Sequence, residues 1–548
     1  MTTQQHAPDS PDLSRQPGAW HRLDPRMLAV FPAKQLGTLI PVLAAVLIGG
    51  RDAGGWQLVG AVAAPIALVL VGVLRWLTLR YRVGAERVEL RRGLIAHQRR
   101  SLRRELVRTV DLRASPLHRL FGLTVVEIGT GTGTSKEGRL SLDGVTAREG
   151  ERLRRELLSR SPSTEDRPST AKAPPARPVP KERPVAQLHL AWLRYAPLTA
   201  SGLAAIGALV GTSFKVANDA GVDLAGSVYR AGDQLSGTSL LAAGAVLVAT
   251  VLLLATVGSL AIYILGWWNY RLGLEPDDTL RLRRGLLTTR SLSIEQRRMR
   301  GAQVTQPLLL RLAGGARCAA VTTGLDAKTS SGGSLLPPAP LAEAHRVAAS
   351  ALLLGDTSMG TAAILVRHPP SALRRRAARA LLPAFGLVLV AWWLSERVRE
   401  LSTIWPVAIL ALPLAALLAA DRYRNLGHAL RPDYLVIGYG SLVRRRVALQ
   451  RRGIIGWRLR QSPLQRRAGL VTLDAVTAAG KGRYSVVDIS PARAVELVNR
   501  INPGLLANDR APDTPPPRHR TRRRTAPLHN TTRPPTLGWT GERPDGVD

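Results

Sequence analysis

The 548-residue chain holds one cysteine, Cys318, which excludes an intramolecular disulfide and any cysteine-based metal cluster. A lone thiol followed by Ala319, Ala320 and Val321 reads as a small core residue. Lysine is scarce: of 76 basic residues seven are lysine and 69 arginine. Acids number 39, leaving a net charge of +37. That excess invites a nucleic-acid reading. Arginine in place of lysine, beside abundant alanine, follows from GC-rich coding, and basic segments beside apolar spans have a membrane explanation, so no nucleic-acid partner is expected. The long apolar runs lack ionisable residues in their interiors, where transporters and pumps keep them despite the desolvation cost. Catalytic signatures are also missing: no HExxH, no nucleophile elbow, no Walker lysine. His97, His118 and His189 show no ligand spacing. GTGTGT at 129–134 lacks the Lys-Ser/Thr ending of a phosphate loop and lies between strand-like runs, so it reads as a hairpin loop. No enzyme activity, cofactor or metal is expected.

What is present is a repeat. Val88 opens VELRRGLIAHQRRSLRRELVRTVDLRASPLHRLFG, Leu280 opens LRLRRGLLTTRSLSIEQRRMRGAQVTQPLLLRLAGG, and Tyr434 opens YLVIGYGSLVRRRVALQRRGIIGWRLRQSPLQRRAG. In each, an alternating run reaches a glycine (Gly93, Gly285, Gly440), and a Pro-Leu pair follows at Pro116, Pro307 or Pro463. Alternation at Val88 and Leu90, Leu280 and Leu282, and Leu435 and Ile437 predicts half-buried strands. Val110 and Leu112 match Trp457 and Leu459 in a second alternation. The proline presets a turn, and the next leucine, Leu117 or Leu464, is expected to enter the core. Each copy closes on a helical pattern, clearest where Pro491 precedes Ala494, Val495, Leu497 and Val498. Copy two, with its displaced proline and Pro337-Pro338, is expected to diverge most in structure.

Apolar runs precede each copy in pairs: Leu36–Gly50 with Trp56–Leu74, Tyr195–Phe214 with Ser239–Trp268, and Leu381–Leu394 with Thr403–Ala420. Spanning a bilayer takes about 20 apolar residues, so the pairs predict six spans in three hairpins. Trp267, Trp268 and Tyr270 are expected at the membrane interface. Residues 79–190 carry 24 Lys+Arg against 13 Asp+Glu, whereas the loop 215–238 has Lys215 and Arg230 against three Asp. The repeats and both termini are therefore expected in the cytoplasm, with the hairpin tips outside. The expected plan is a cytoplasmic N-terminal segment (1–35), hairpin one (36–78), β-rich domain one (79–160), a disordered linker (161–190), hairpin two (191–268), domain two (269–355), a connector (356–377), hairpin three (378–421), domain three (422–503) and a disordered basic, proline-rich tail (504–548).

The hairpin followed by RRGL…SPLxRxxG resembles the bacterial pleckstrin-homology-like family typified by YdbT-like membrane proteins. The residues carrying the resemblance are Arg91-Arg92-Gly93-Leu94, Arg283-Arg284-Gly285-Leu286, Ser115-Pro116-Leu117 through Gly122, and Ser462-Pro463-Leu464 through Gly469. Copy three departs from it with Gly438-Tyr439-Gly440-Ser441 in place of RRGL, and copy two with Gln306 for the serine. The resemblance implies membrane α-helical hairpins plus β-rich domains of two packed antiparallel sheets with a C-terminal helix, and it hands over no catalytic residue. The expected role is a non-enzymatic scaffold in the bacterial cell membrane, associated with the envelope. It presents three modules to a protein or peptide partner or to lipid head groups, with an accessory subunit of a membrane enzyme or transporter as the competing reading. Arg91, Arg92, Arg99, Arg100, Arg103 and Arg104 cluster between the first strands and are the expected contacts to anionic lipid. Partner identity and oligomeric state stay open.

Overall fold

The computed structural model describes residues 20–30, 76–84, 86–92, 98–130, 139–158, 182–199, 237–323, 333–398 and 404–503, plus isolated helical positions between 63 and 74 and between 204 and 218. The chain divides into two units, 1–497 and 498–548; of the second, only 498–503 are described.

All three copies follow one plan of four strands, three strands and a helix. Copy one has β1 (His21–Arg22), β2 (Arg80–Val83), β3 (Arg87–Arg92) and β4 (Gln98–Arg103) in a first antiparallel sheet. Then come β5 (Val107–Ala114), the one-turn helix α1 (Pro116–Leu120), β6 (Leu123–Thr130), β7 (Arg139–Thr146) and helix α2 (Ala147–Leu158). Copy two runs β8 (Arg183–Gln187), the long apolar helix α3 (Gly237–Trp267), β9 (Arg271–Leu274), β10 (Thr279–Arg284) and β11 (Thr289–Glu295). It continues with β12 (Met299–Pro307), α4 (Leu308–Leu312), β13 (Gly315–Thr322), β14 (Ser334–Pro340) and α5 (Leu341–Ala351). Copy three opens with β15 (Val366–Arg367), the apolar helices α6 (Pro370–Arg397), α7 (Ile404–Ile409) and α8 (Ala411–Arg424), then β16 (Gly427–Leu430), β17 (Tyr434–Tyr439) and β18 (Val443–Gln450). It ends with β19 (Gly456–Arg460), α9 (Pro463–Arg467), β20 (Val471–Val476), β21 (Arg483–Ile489) and α10 (Pro491–Ile501).

The expected alternation holds: Val88, Leu90, Leu280, Leu282, Leu435 and Ile437 are all buried. Gly285 and Gly440 have φ of 106° and 101°. A Cβ on either would stand 2.0 Å from the carbonyl oxygen of Thr288 or Val443, so both turns demand glycine. Gly93 lies outside the described residues. The closing helices bury their stripes, among them Leu153 and Leu157 of α2 and Ala344, Val347 and Ala348 of α5. Cys318 is buried in the core, and burial pushes its thiol up to about 12.

Five expectations need correction. First, the two sheets of a repeat do not stay within it. The order β7-β6-β5-β11-β10-β9-β8 fuses the three-stranded sheet of copy one to the four-stranded sheet of copy two, and β14-β13-β12-β18-β17-β16-β15 does the same for copies two and three. Second, the first strand of each four-stranded sheet is donated from ahead of the apolar segment. The last residues of the linker 161–190 therefore form β8, and the connector 356–377 contains β15 and the start of α6. Third, the proline turn is a one-turn helix that points its third residue inward: His118, Leu310 and Gln465 are buried, while Leu464 is 55% exposed. Ser115 and Ser462 cap it, the latter in a full capping box with Gln465. Fourth, copy two keeps the shared topology, because Pro337 and Pro338 sit on β14, an edge strand that tolerates a missing N–H. Fifth, Tyr270 is not interfacial: it is buried, and its hydroxyl donates to the Leu335 carbonyl at 2.7 Å. Tyr195, the expected start of a span, is likewise buried in the core of copy two.

Three stretches of helix are long and apolar enough to cross a membrane: Val248–Trp267, Pro370–Arg397 and Ile404–Arg424. The last two pack against each other as the third expected hairpin. Their large side chains point outward, with Leu253 at 64% and Leu417 at 68% exposure. Apolar residues all round a helix suit a lipid surrounding and not water. Most of hairpin one and most of the first member of hairpin two lie outside the described residues.

Candidate anion-binding cavity at the base of the third hairpin

The start of α6 reads PSALRRRAAR, and the end of α8 reads DRYR, so packing the two helices antiparallel gathers arginines at one end. That end is tied to the turn between β17 and β18. Asp421 accepts from Arg311 of copy two at 3.0 Å, from the Ser441 hydroxyl at 3.1 Å and from Arg444. The Asn425 side-chain amide donates to the Gly440 carbonyl at 3.1 Å. These bonds fix the turn against the helix ends and leave a cavity of about 620 Å³ between them.

Five arginines line it: Arg375, Arg376, Arg379, Arg422 and Arg445, with Asp488 the one acid. Asp488 is fully buried and held at φ 61°, a left-handed conformation that costs a side-chain-bearing residue about 1 kcal/mol or more. It accepts from Arg375, from Arg376 at 3.1 Å and from the Gln465 side chain at 2.9 Å. One carboxylate thus orders two arginines and leaves the cavity strongly cationic. Among the described residues, the Nε atoms of Arg375 and Arg445 are buried without a hydrogen-bond partner. Buried donors of this kind call for an acceptor, and guanidinium forks match phosphate oxygens. The arrangement can hold an anion. It offers no nucleophile beside a base, and the described residues contain no group of three or more His, Cys, Asp or Glu placed to hold a metal.

Copy two has a related opening at the same turn. A cavity of about 400 Å³ is lined by Asn269, Arg283, Arg284, Gly285 and Arg290, with Arg119 of copy one across it. Asn269 and Gly285 occupy the positions of Asn425 and Gly440. Arg284 stacks 4.0 Å over the Trp267 ring, and burial, with Arg290 beside it, pulls its pKa down to about 10.

The model of the bacterial PH domain matches residues 34–161, 224–353 and 377–503. The chain belongs to the bacterial PH domain family. The first and third matches take in both apolar runs of a pair and the second takes in the later run alone, each with the β domain after it, and all omit the donated strands β1, β8 and β15. No curated protein and no solved structure matches the chain.

The arginines expected to meet lipid lie on the first PH domain, and the structure does not gather them into one free patch. Arg99 donates to Glu89 at 3.0 Å, and Arg104 donates to the Glu156 carbonyl. Arg91 stacks 4.3 Å over the Trp20 ring. Arg100 is half-buried and Arg103 exposed on β4, and the Arg92 side chain lies outside the described residues. The cavity arginines were missed because Arg375, Arg376 and Arg379 stand just ahead of the apolar run and read as a connector and flank. The signal available was the clustering of arginine at both inner ends of one hairpin.

Proposed function

We propose that the chain is a non-enzymatic, multi-pass protein of the bacterial cell membrane. It fixes three PH domains, fused edge to edge, against the cytoplasmic leaflet, where they engage anionic lipid head groups and a protein partner in an envelope-associated scaffold. The observation that carries this reading is the position of the arginine cavity, at the level where α6 and α8 leave the PH domain and lipid phosphates would stand. Cations beside an anionic leaflet contribute about 1 kcal/mol each. Of the copy-one arginines Arg91, Arg92, Arg99, Arg100, Arg103 and Arg104, Arg99 and Arg104 are held by Glu89 and Glu156, and the others are proposed as a second, shallower contact to the same leaflet. The Lys/Arg asymmetry supports an orientation with the PH domains and both termini inside.

The purified full chain, solubilised and titrated with short-chain anionic or zwitterionic phospholipid, tests the reading. Preference for the anionic lipid, lost in R379Q/R422Q/R445Q with an unchanged melting temperature, supports it. Equal binding of both lipids overturns it. Reporter fusions at Asp223 should signal outside and those at Lys328 and Lys481 inside; an inside signal at Asp223 defeats the topology.

A further inference from the structure

The two fused sheets reuse one junction. In copy one, β5 pairs with β11 so that Thr109 faces Ile294 and Asp111 faces Leu292. In copy two, β12 pairs with β18 so that Gly301 faces Leu449 and Gln303 faces Val447. Counted from the 3-10 turns Arg104–Leu106, Gln296–Arg298 and Arg451–Gly453, which stand between β4 and β5, β11 and β12, and β18 and β19, these are equivalent residues, so the register is the same. The equivalent strand of copy three, β19, pairs only with β20, and its other edge is open among the described residues. Residues that the junction covers elsewhere lie bare here: Leu112 and Val304 are 9% and 2% exposed, their counterpart Leu459 57%.

An open strand edge with an apolar side chain is a template for another strand, and its charges decide which one. The position of Asp111 and Gln303 is taken by Arg458, which is exposed and has no partner among the described residues. Its neighbour Arg460 is already held by the buried Asp474 at 2.6 Å. The matching free edge in copy one is β4. In the shared register, β4 of a second chain would set Arg100 opposite Arg458, and like charges directly opposite are destabilising. We infer that the β19 edge binds an extended acidic segment of a partner protein, added as an antiparallel strand with a carboxylate opposite Arg458 and an apolar contact over Leu459. This rests on the reading of the PH domains as binding modules and names the protein ligand's chemistry.

The test uses the solubilised full chain and two fluorescent peptides copied from residues 288–296, one carrying L292E and one L292K. The L292E peptide should bind more tightly by about tenfold, a favourable cross-strand pair gained and a like-charge pair removed. R458E should reverse the preference without changing the melting temperature. Equal binding of both peptides, or a preference that R458E leaves intact, overturns the inference. So does concentration-dependent self-association of the unaltered chain that the L292E peptide competes away, since that assigns the edge to a second copy. Lipid titration of the same preparations separates the two proposals: a chain that keeps its anionic-lipid preference yet ignores the peptides sinks this inference alone.

Discussion

The two junctions between PH domains share a register but are clamped at different places. At the first, the clamp is remote from the apolar helices. Arg154 of α2 is buried and donates to Glu151 at 2.8 Å and to Glu275 of copy two at 2.9 Å, while Arg281 donates to the same two carboxylates at 2.8 and 3.1 Å. Between the strands themselves, Asp111 accepts from Arg113 and Arg290, each at 2.9 Å. At the second junction the strands meet closely: a Cβ on Gly301 would lie 2.2 Å from the Ala448 carbonyl oxygen. The acid there is Asp421, which comes from the base of the hairpin. One backbone register thus tolerates two chemistries, and the second junction draws its acid from the base of a hairpin.

That contrast can be broken at either end. The largest effect is expected from Arg154→Ala, which leaves the half-buried Glu151 and Glu275 with half their partners. Removing one member of a fully buried group costs about 3–5 kcal/mol, and the partial exposure of both carboxylates puts this loss at about 3 kcal/mol. Calorimetry should show the loss in copies one and two, with lipid binding by copy three intact. An unchanged melting curve would mean the quartet is solvated.

Acid should separate the regions next. His368 and His428 are buried, with Nε2 of one 3.1 Å from Nδ1 of the other, and His368 donates to the Val487 carbonyl at 2.9 Å. Burial first, then His428 beside His368 and Arg493 beside His428, lowers both to about 4. The unfolded imidazoles bind protons near 6.5 and the folded ones do not. The contribution is therefore complete above 6.5 and lost as pH falls from 6.5 towards 4. For Glu151, burial alone would raise the pKa, but Arg154 and Arg281 more than reverse it. Its contribution is present above its ordinary value of 4.5 and fades only below that. Copy three should loosen before the first junction does, by a few kcal/mol, as hydrogen exchange at stepped pH can show. Simultaneous loosening would refute the assignment.

Gly301→Val should cost about 1–3 kcal/mol, the scale for overpacking, and should open only the second junction. Limited proteolysis would locate the damage; cleavage confined to copy one would contradict it. The smallest effect is expected from Leu464→Asp. The side chain is exposed, so the change should stay within about 0.5 kcal/mol in a thermal melt.

Leu464 also marks where the sequence misleads. Proline and leucine announce a turn, but they do not say that the turn is helical, and helical spacing sends Gln465 inward instead. The glycine turns, the alternating strands, the closing helices and the third hairpin were legible because each is local. The fused sheets were not: Asp111 and Arg290 lie far apart in sequence, and both read as solvated charges on a strand face. β1, β8 and β15 are short and stand ahead of the apolar segments, so no periodicity reveals them. Asp488 gave no sign either, since its role depends on a backbone angle and on arginines more than a hundred residues away.

The three PH domains form one array joined through β5–β11 and β12–β18. Amide exchange on the full chain tests it most directly. As strands paired on both sides, β5 and β12 should exchange slowly at every amide, while β19 should exchange quickly at alternate amides along its open edge. Equal, fast exchange in all three strands would contradict the fusion and return each PH domain to a separate body.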